Sequence, residues 1–444
     1  MTWRTAASDS DSCSNATDVR DGSSVPADSG SRAGAAPSTG AVRDAGTVES
    51  GPLVPKRTMA LQVYLPAVVS GFGFGASAPI FALKALELGA SPGVAGVIVA
   101  LNGLGMVLGD LPAGRAVARI GERLAILLGS VFGAGGLLLC ILAPHLGALA
   151  AGMLLSGIAN AVWGLARQSY IVAAVAPADR GKALSTFAGC MRLGMFVGPF
   201  AGAAVVGTLG LDGGLWLHCA AILVAAALMF TVPDIDTAGP APVQRGVLGV
   251  VVEHRRLLAT LGSAALLMGA ARAAKQALLP LWAAHVGMSP AATSLVFGLA
   301  GAIDVLMSYP SGVWMDRFGR HAVGVPSMVM FALGYLAMPL LGGQLSVVVA
   351  ALLLGFGNGL SNGVIMTVGA DVSPPGQRAE FLGAWRLTHD VGMFSGPIVV
   401  GAISAVTALG AAAVALGGLG ALGAAAMYRW VPRLNPGRGS KTVR

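Results

Sequence analysis

The most constraining feature of this chain is a series of apolar runs, each about 20 residues long and nearly free of charge, recurring from about Met59 to Trp430. One such run, coiled as a helix, spans the roughly 30 Å hydrocarbon core of a bilayer. The chain is 55% hydrophobic and 11% charged, against about 25% charge in a soluble domain. Alternating segments of about 10 residues, the mark of an outer-membrane barrel, are not visible. The expected class is an all-α membrane protein. Twelve transmembrane helices are predicted, roughly over 59–82, 94–114, 123–143, 147–173, 182–207, 213–232, 257–283, 292–313, 321–341, 345–370, 380–405 and 408–430.

The segments outside these runs set the organisation. Residues 1–57 are dominated by Ser, Asp, Gly, Ala, Pro and Thr and contain no apolar run, so a disordered tail is expected. It lacks the basic-then-apolar layout of a signal peptide. Asn15-Ala16-Thr17 fits the glycosylation pattern, which carries no meaning on a cytosolic tail. The Pro- and Gly-bearing stretch 233–256 divides the helices six and six, into bundles over 58–232 and 257–430, with a short C-terminal tail at 431–444. Twenty-two of the 28 Lys and Arg fall in the tails and in the loops that share their side. The positive-inside rule makes both termini cytoplasmic, with the chain multi-pass in the cell (inner or plasma) membrane. The net charge of +8 is accounted for in this way and does not call for a nucleic-acid partner. Cys13, Cys140, Cys190 and Cys219 show no C-x-x-C spacing, so neither a disulfide nor a metal site is expected. The six His are dispersed, no cofactor is implied, and the absence of a G-x-x-x-x-G-K-[ST] loop disfavours a primary pump.

The chain also repeats itself at one gap-free offset of 198 residues. Gly89-Ala90-Ser91-Pro92 matches Gly287-Met288-Ser289-Pro290, and Pro112, Gly114, Arg119 and Gly121 match Pro310, Gly312, Arg317 and Gly319. Asn160 matches Asn358, Arg180 matches Arg378, and Gly194 through Pro199 matches Gly392 through Pro397. Two homologous six-helix bundles in parallel orientation follow, with a site expected at the interface between them.

These residues resemble the major facilitator superfamily over about 59–430. Its pattern G-x-x-x-D-R-x-G-R-R stands almost whole as Gly312, Asp316, Arg317, Gly319 and Arg320, in what reads as a short basic loop. The first copy keeps Gly114, Arg119, Gly121 and Arg123 but has Ala118 at the Asp position. The resemblance implies a conformational latch, weaker in the first copy, with Asp110 as a nearby acid that either substitutes or offsets the basic loop. Gly194, Gly198, Pro199 and Gly202 resemble the antiporter motif G-x-x-x-G-P-x-x-G-G, and Gly392, Gly396 and Pro397 nearly repeat it. Spacing of four puts these glycines on one helix face, where a neighbour can approach closely. The antiporter Arg of helix 4 is missing, since Met153 occupies its place.

Ionised residues inside a bilayer are costly and normally face protein or a water cavity. Arg192 and Asp304 fall near the middle of helices 5 and 8, which the family architecture sets side by side, so an ion pair or gate is expected there. Arg386 and Asp390 share a face at i,i+4, as a neutralised pair or as a proton-coupling site with His389 beside it. The resemblance makes helices 1, 4, 7 and 10 line the cavity. Arg272, Lys275 and Gln276, with Phe74, Ser77, Asn160, Trp163, Asn358 and Asn362, are then the candidate solute-binding residues. Embedded cations outnumber embedded acids, which points to an anionic or amphipathic small molecule.

The implied function is secondary transport of a small organic solute by a monomer in the lipid bilayer, as a proton-coupled exporter of drug-like or metabolite compounds. The alternatives are a facilitator or importer of an organic anion, and a non-transporting membrane sensor. An enzyme is not expected.

Overall fold

A computed structural model describes residues 56–176, 179–230, 249, 252–374 and 378–431. The tail up to 55, nearly all of the 233–256 linker and the segment from 432 onward lie outside the described residues, as do Cys13, Asn15 and the side chain of Ala118. Among the described residues, 12 helices are long and apolar enough to cross a membrane. They are α1 (Arg57–Glu87), α2 (Pro92–Ile120), α3 (Glu122–Ile141), α4 (Leu146–Ala174), α5 (Arg180–Leu209) and α6 (Leu211–Phe230). The second set is α7 (Arg255–His285), α8 (Pro290–Phe318), α9 (His321–Leu341), α10 (Gly343–Val372), α11 (Arg378–Val406) and α12 (Leu409–Trp430).

The repeat in sequence is a repeat in backbone. Ser91 caps α2 by accepting from the Val94 amide at 3.4 Å, and Ser289 caps α8 by accepting from Ala292 at 3.2 Å. A proline follows each cap, where its missing N–H costs nothing. Gly121 (φ 79°) and Gly319 (φ 87°) end these same helices in a conformation that a side chain would strain. The segments expected as basic loops, Pro112–Arg123 and Pro310–His321, are mostly helical instead. Pro112 and Pro310 lie inside α2 and α8, which run on to Ile120 and Phe318 and shrink each connection to a turn at the glycine.

Glycines decide which helices touch. On α5, a Cβ at Gly194 would overlap the Val68 carbonyl and one at Gly198 the Phe72 carbonyl, both on α1. On α11, Gly392 and Gly396 stand in the same relation to the Leu266 and Ala270 carbonyls of α7. The motif-like stretch packs helices closely in the same way in both halves.

Two seams join the halves. Along α2–α11, Gly93 meets Ala405, Gly96 meets Gly401 and Gly103 meets Phe394. Along α5–α8, Gly298 meets the Phe200 ring and Gly301 meets Phe196. All of these contacts lie away from the 2–3 and 8–9 turns. Towards those turns, Gly181, Gly189, Gly312 and Gly383 have nothing within 4 Å of an added Cβ. At the other end of the first half Lys84 ties α1 to α6 through Asp212 at 2.8 Å.

Candidate functional site

The site is built on a break in α10. Its helix stops at Leu360 and resumes at Val364, and Gly363 takes the left-handed conformation (φ 83°) that permits the interruption. Asn358 and Asn362, one turn apart, both turn to Asp304 of α8. The Asn358 amide donates to Asp304 Oδ2 at 2.6 Å, and the Asn362 amide donates to Oδ1 and to Ser308 Oγ, both at 2.7 Å. The two helices come this close because Gly359 lies against the Asp304 backbone, where a Cβ would sit 2.7 Å from its carbonyl oxygen. From α7, Arg272 Nη2 donates to Asn362 Oδ1 at 3.2 Å. The Tyr335 hydroxyl donates to the neighbouring Ala271 carbonyl and anchors α7 there.

Three cations lie within electrostatic reach of this carboxylate without forming a salt bridge to it among the described residues. Lys275 follows Arg272 by three residues on α7, hence on one face. Arg192 arrives from the other half. The antiparallel seam pairs Phe200 with Gly298 and Phe196 with Gly301, and the next turn brings Arg192 to Asp304. The Asp304 charge reaches all three cations, yet none lies within 4 Å of it among the described residues. The direct Arg192–Asp304 ion pair expected from the sequence is therefore not formed. Both carboxylate oxygens are already taken by neutral amides, which satisfy them without neutralising a cation.

Besides Arg192, the half containing α1–α6 supplies neutral and aromatic groups. Phe74 and Asn160 line a cavity of ≈ 40 Å³ with Trp163, Ser70, Ser130 and His218. That holds a few waters and is far below the roughly 300–1,000 Å³ of small-molecule sites. Ser77, expected to face the solute, is 0% exposed and shares a 2.7 Å hydrogen bond with His218 Nδ1 of α6. Burial inside the bundle removes Ser77 from the solute-facing set. Gln276 is half-buried beside Lys275.

A second polar cluster crosses between the halves towards the open end. Asp390 Oδ2 lies 3.5 Å from Arg386 Nε, and its Oδ1 lies 3.1 Å from His389 Nδ1. Arg386 Nη1 donates to Gln168 Oε1 of α4 at 3.2 Å. Asp110, assigned from sequence to the loop latch, instead comes within electrostatic reach of Arg386 and Asp390 along the α2–α11 seam.

At the turns, Arg320 pairs with Asp371 at the end of α10 (Nε to Oδ2 2.8 Å, Nη2 to Oδ1 3.4 Å). Asp316 is exposed, and Arg317 lies over the Phe318 ring at 5.3 Å. One repeat earlier, Glu122 replaces Arg320 and Ala173 replaces Asp371. Glu122 there accepts from Ser169 Oγ at 2.9 Å, while Arg123 donates to the Phe230 carbonyl at 2.5 Å. Arg119 is exposed. The asymmetry of the turns yields an expectation. Asp316→Asn should lower transport at matched expression, whereas Ala118→Ser should not; uptake into cells expressing each variant decides it, and equal rates for Asp316→Asn and the parent remove Asp316 from the cycle.

Two participants escaped the sequence. Asp371 sits at an apolar helix end, and His218 is a single His in the apolar run of α6. Arg167, an embedded cation of α4, is 0% exposed and stacks over Trp163 at 3.6 Å, with none of its three nitrogens bonded to an acceptor among the described residues.

A bundle of twelve candidate membrane spans in two matched halves, with charged side chains gathered where they meet, is the architecture of a membrane transporter. Residues 63–271 and 261–444 match the family model described as Major Facilitator Superfamily, and the chain belongs to that family. It is similar to YddS of Bacillus subtilis (strain 168), described as an uncharacterized MFS-type transporter, at 25% identity over 79% of this chain and 85% of the relative. Among solved structures it resembles the nucleoside transporter NupG at TM-score 0.68 and 16% identity, over 84% of this chain and 99% of that one. It also resembles a POT family transporter in complex with 5-aminolevulinic acid, at TM-score 0.70 and 13% identity, over 85% and 96% of the two chains. The similarity to the solved structures extends to the fold alone.

Proposed function

We propose that this transporter moves a small organic anion by alternating access and that proton movement through Asp390 drives it. The observation that carries the reading is the unbalanced charge between the halves: Arg192, Arg272 and Lys275 surround one carboxylate whose oxygens are spent on amides. The three cations are half-buried between the halves with no salt bridge among the described residues, and an unpaired cation inside a membrane is expensive, so an anionic occupant is the natural complement. With the basic turns taken as cytoplasmic, the opening beside them corresponds to an inward-facing state. Asp390 supports coupling because Arg386, His389 and Asp110 adjoin it from both halves, where a change in its protonation alters the contact between them.

The test uses purified protein in two assays. In thermal shift, organic anions should stabilise it and uncharged solutes of matched size should not. In liposomes, an imposed pH gradient should accelerate flux of a stabilising anion. Asp390→Asn should lose that acceleration while retaining exchange of labelled for unlabelled solute. Stabilisation by neutral solutes equal to that by anions defeats the anion reading, and gradient-independent flux by the parent defeats the coupling.

A further inference from the structure

We propose that the solute carries two negative charges, and that Asp304 sets this number by cancelling one of the three cations around it. The inference rests on the anion reading above and narrows it. Arg192, Arg272 and Lys275 contribute three positive charges and Asp304 one negative, which leaves two uncompensated. Asp390 does not enter the balance, because it is already engaged by Arg386 and His389 on α11.

The geometry holds Asp304 in this role. Asn358 and Asn362 grip its two oxygens at 2.6 and 2.7 Å from consecutive turns of α10, and Asn362 is itself held by Ser308 at 2.7 Å. The carboxylate therefore cannot swing to form a salt bridge with one cation and leave the others for the solute. Arg272 reaches it only through the intervening Asn362 amide at 3.2 Å, so most of its guanidinium donors remain for a ligand. Lys275 and Arg192 make no salt bridge within 4 Å among the described residues. A neutral occupant leaves two charges unmatched in a low-dielectric site, a monoanion leaves one, and a dianion leaves none. The guanidinium fork suits a carboxylate or a phosphate equally. The chemistry shared by both sources is a second negative charge, as in a dicarboxylate or a phosphate monoester.

The test compares pairs matched in size but differing by one charge: succinate with butyrate, glutarate with valerate, and phenyl phosphate with methyl phenyl phosphate. All are measured at pH 8, above the second phosphate pKa of about 6. Binding to the full-length purified protein is read by calorimetry. The expected result is that the dianion leads by at least about tenfold in one or more pairs, the ratio that 1.4 kcal/mol corresponds to. Lys275→Gln, which leaves one net charge, should bring the ratio in that pair to unity or below. Asp304→Asn, which leaves three, should shift preference towards the trianion citrate over succinate. The dicarboxylate and phosphate arms separate the two sources.

If no pair favours the dianion, or if Lys275→Gln preserves the ratio, the charge count is wrong. Neutral butanol or phenol binding as tightly as either anion would instead overturn the anion reading itself, and the two failures are thereby distinguishable.

Discussion

Gly198→Val should leave no monodisperse protein. A Cβ at this position overlaps the Phe72 carbonyl oxygen and sits 2.8 Å from the Ala76 amide nitrogen. Both are backbone atoms of α1, so no rotamer change relieves the clash and the whole helix must retreat. Overpacking of flexible side chains costs about 1–3 kcal/mol; displacement of a helix costs more, because the flanking contacts at Gly194 and Gly202 separate with it. Gly392→Val should fail in the same way against Leu266 of α7. The control is Gly207→Ala on the same α5, where nothing lies within 4 Å and the helix gains up to about 1 kcal/mol of propensity. Size-exclusion profiles of detergent-extracted fluorescent fusions provide the measurement. A monodisperse Gly198→Val peak at parental yield would show that α1 and α5 do not meet along this face.

The second large effect separates stability from binding. Arg272→Gln should weaken binding of the anionic solute by about 10- to 100-fold, since a charge-assisted hydrogen bond contributes about 1.5–3 kcal/mol. The same substitution should raise the melting temperature of the solute-free protein. The partner of Arg272 is the neutral Asn362 oxygen at 3.2 Å, so the change removes one of three mutually repelling cations while the Gln amide can still donate to Asn362. Asp304→Asn should do the reverse to the solute-free protein, leaving the three cations without the acid that acts on all of them. Both readouts come from one thermal-shift titration. A lower melting temperature for solute-free Arg272→Gln would mean that the cation is structurally compensated and is not held in reserve for a ligand.

Much of this architecture was readable from residue order. The spans followed from hydropathy, and Arg192, Asp304, Arg272, Lys275, Asn358 and Asn362 stood out as polar residues in apolar runs. Their partners did not. Arg192 and Asp304 were expected to pair along the α5–α8 seam, but the bonds to Asp304 come from Asn358 and Asn362, 54 and 58 residues away. That outcome depends on the α10 break at Gly363 and on the approach of Gly359 to α8. Ser77 was displaced from the solute-facing group by a His 141 residues away. The expected basic loops are largely helix because α2 and α8 run past their predicted ends at 114 and 313 to Ile120 and Phe318.

The sequence alone determined the twelve spans, the twofold repeat and the family. Those depend on local quantities: each helix satisfies its own backbone in the bilayer, and every 20-residue run declares its hydropathy independently of the others. Only the tertiary structure decided which charges are neutralised and which are left over. A buried charge is balanced by whatever the neighbouring helix presents within a few ångströms. Which neighbour that is follows from backbone approach at a few glycines, a three-dimensional property that no stretch of the chain carries by itself.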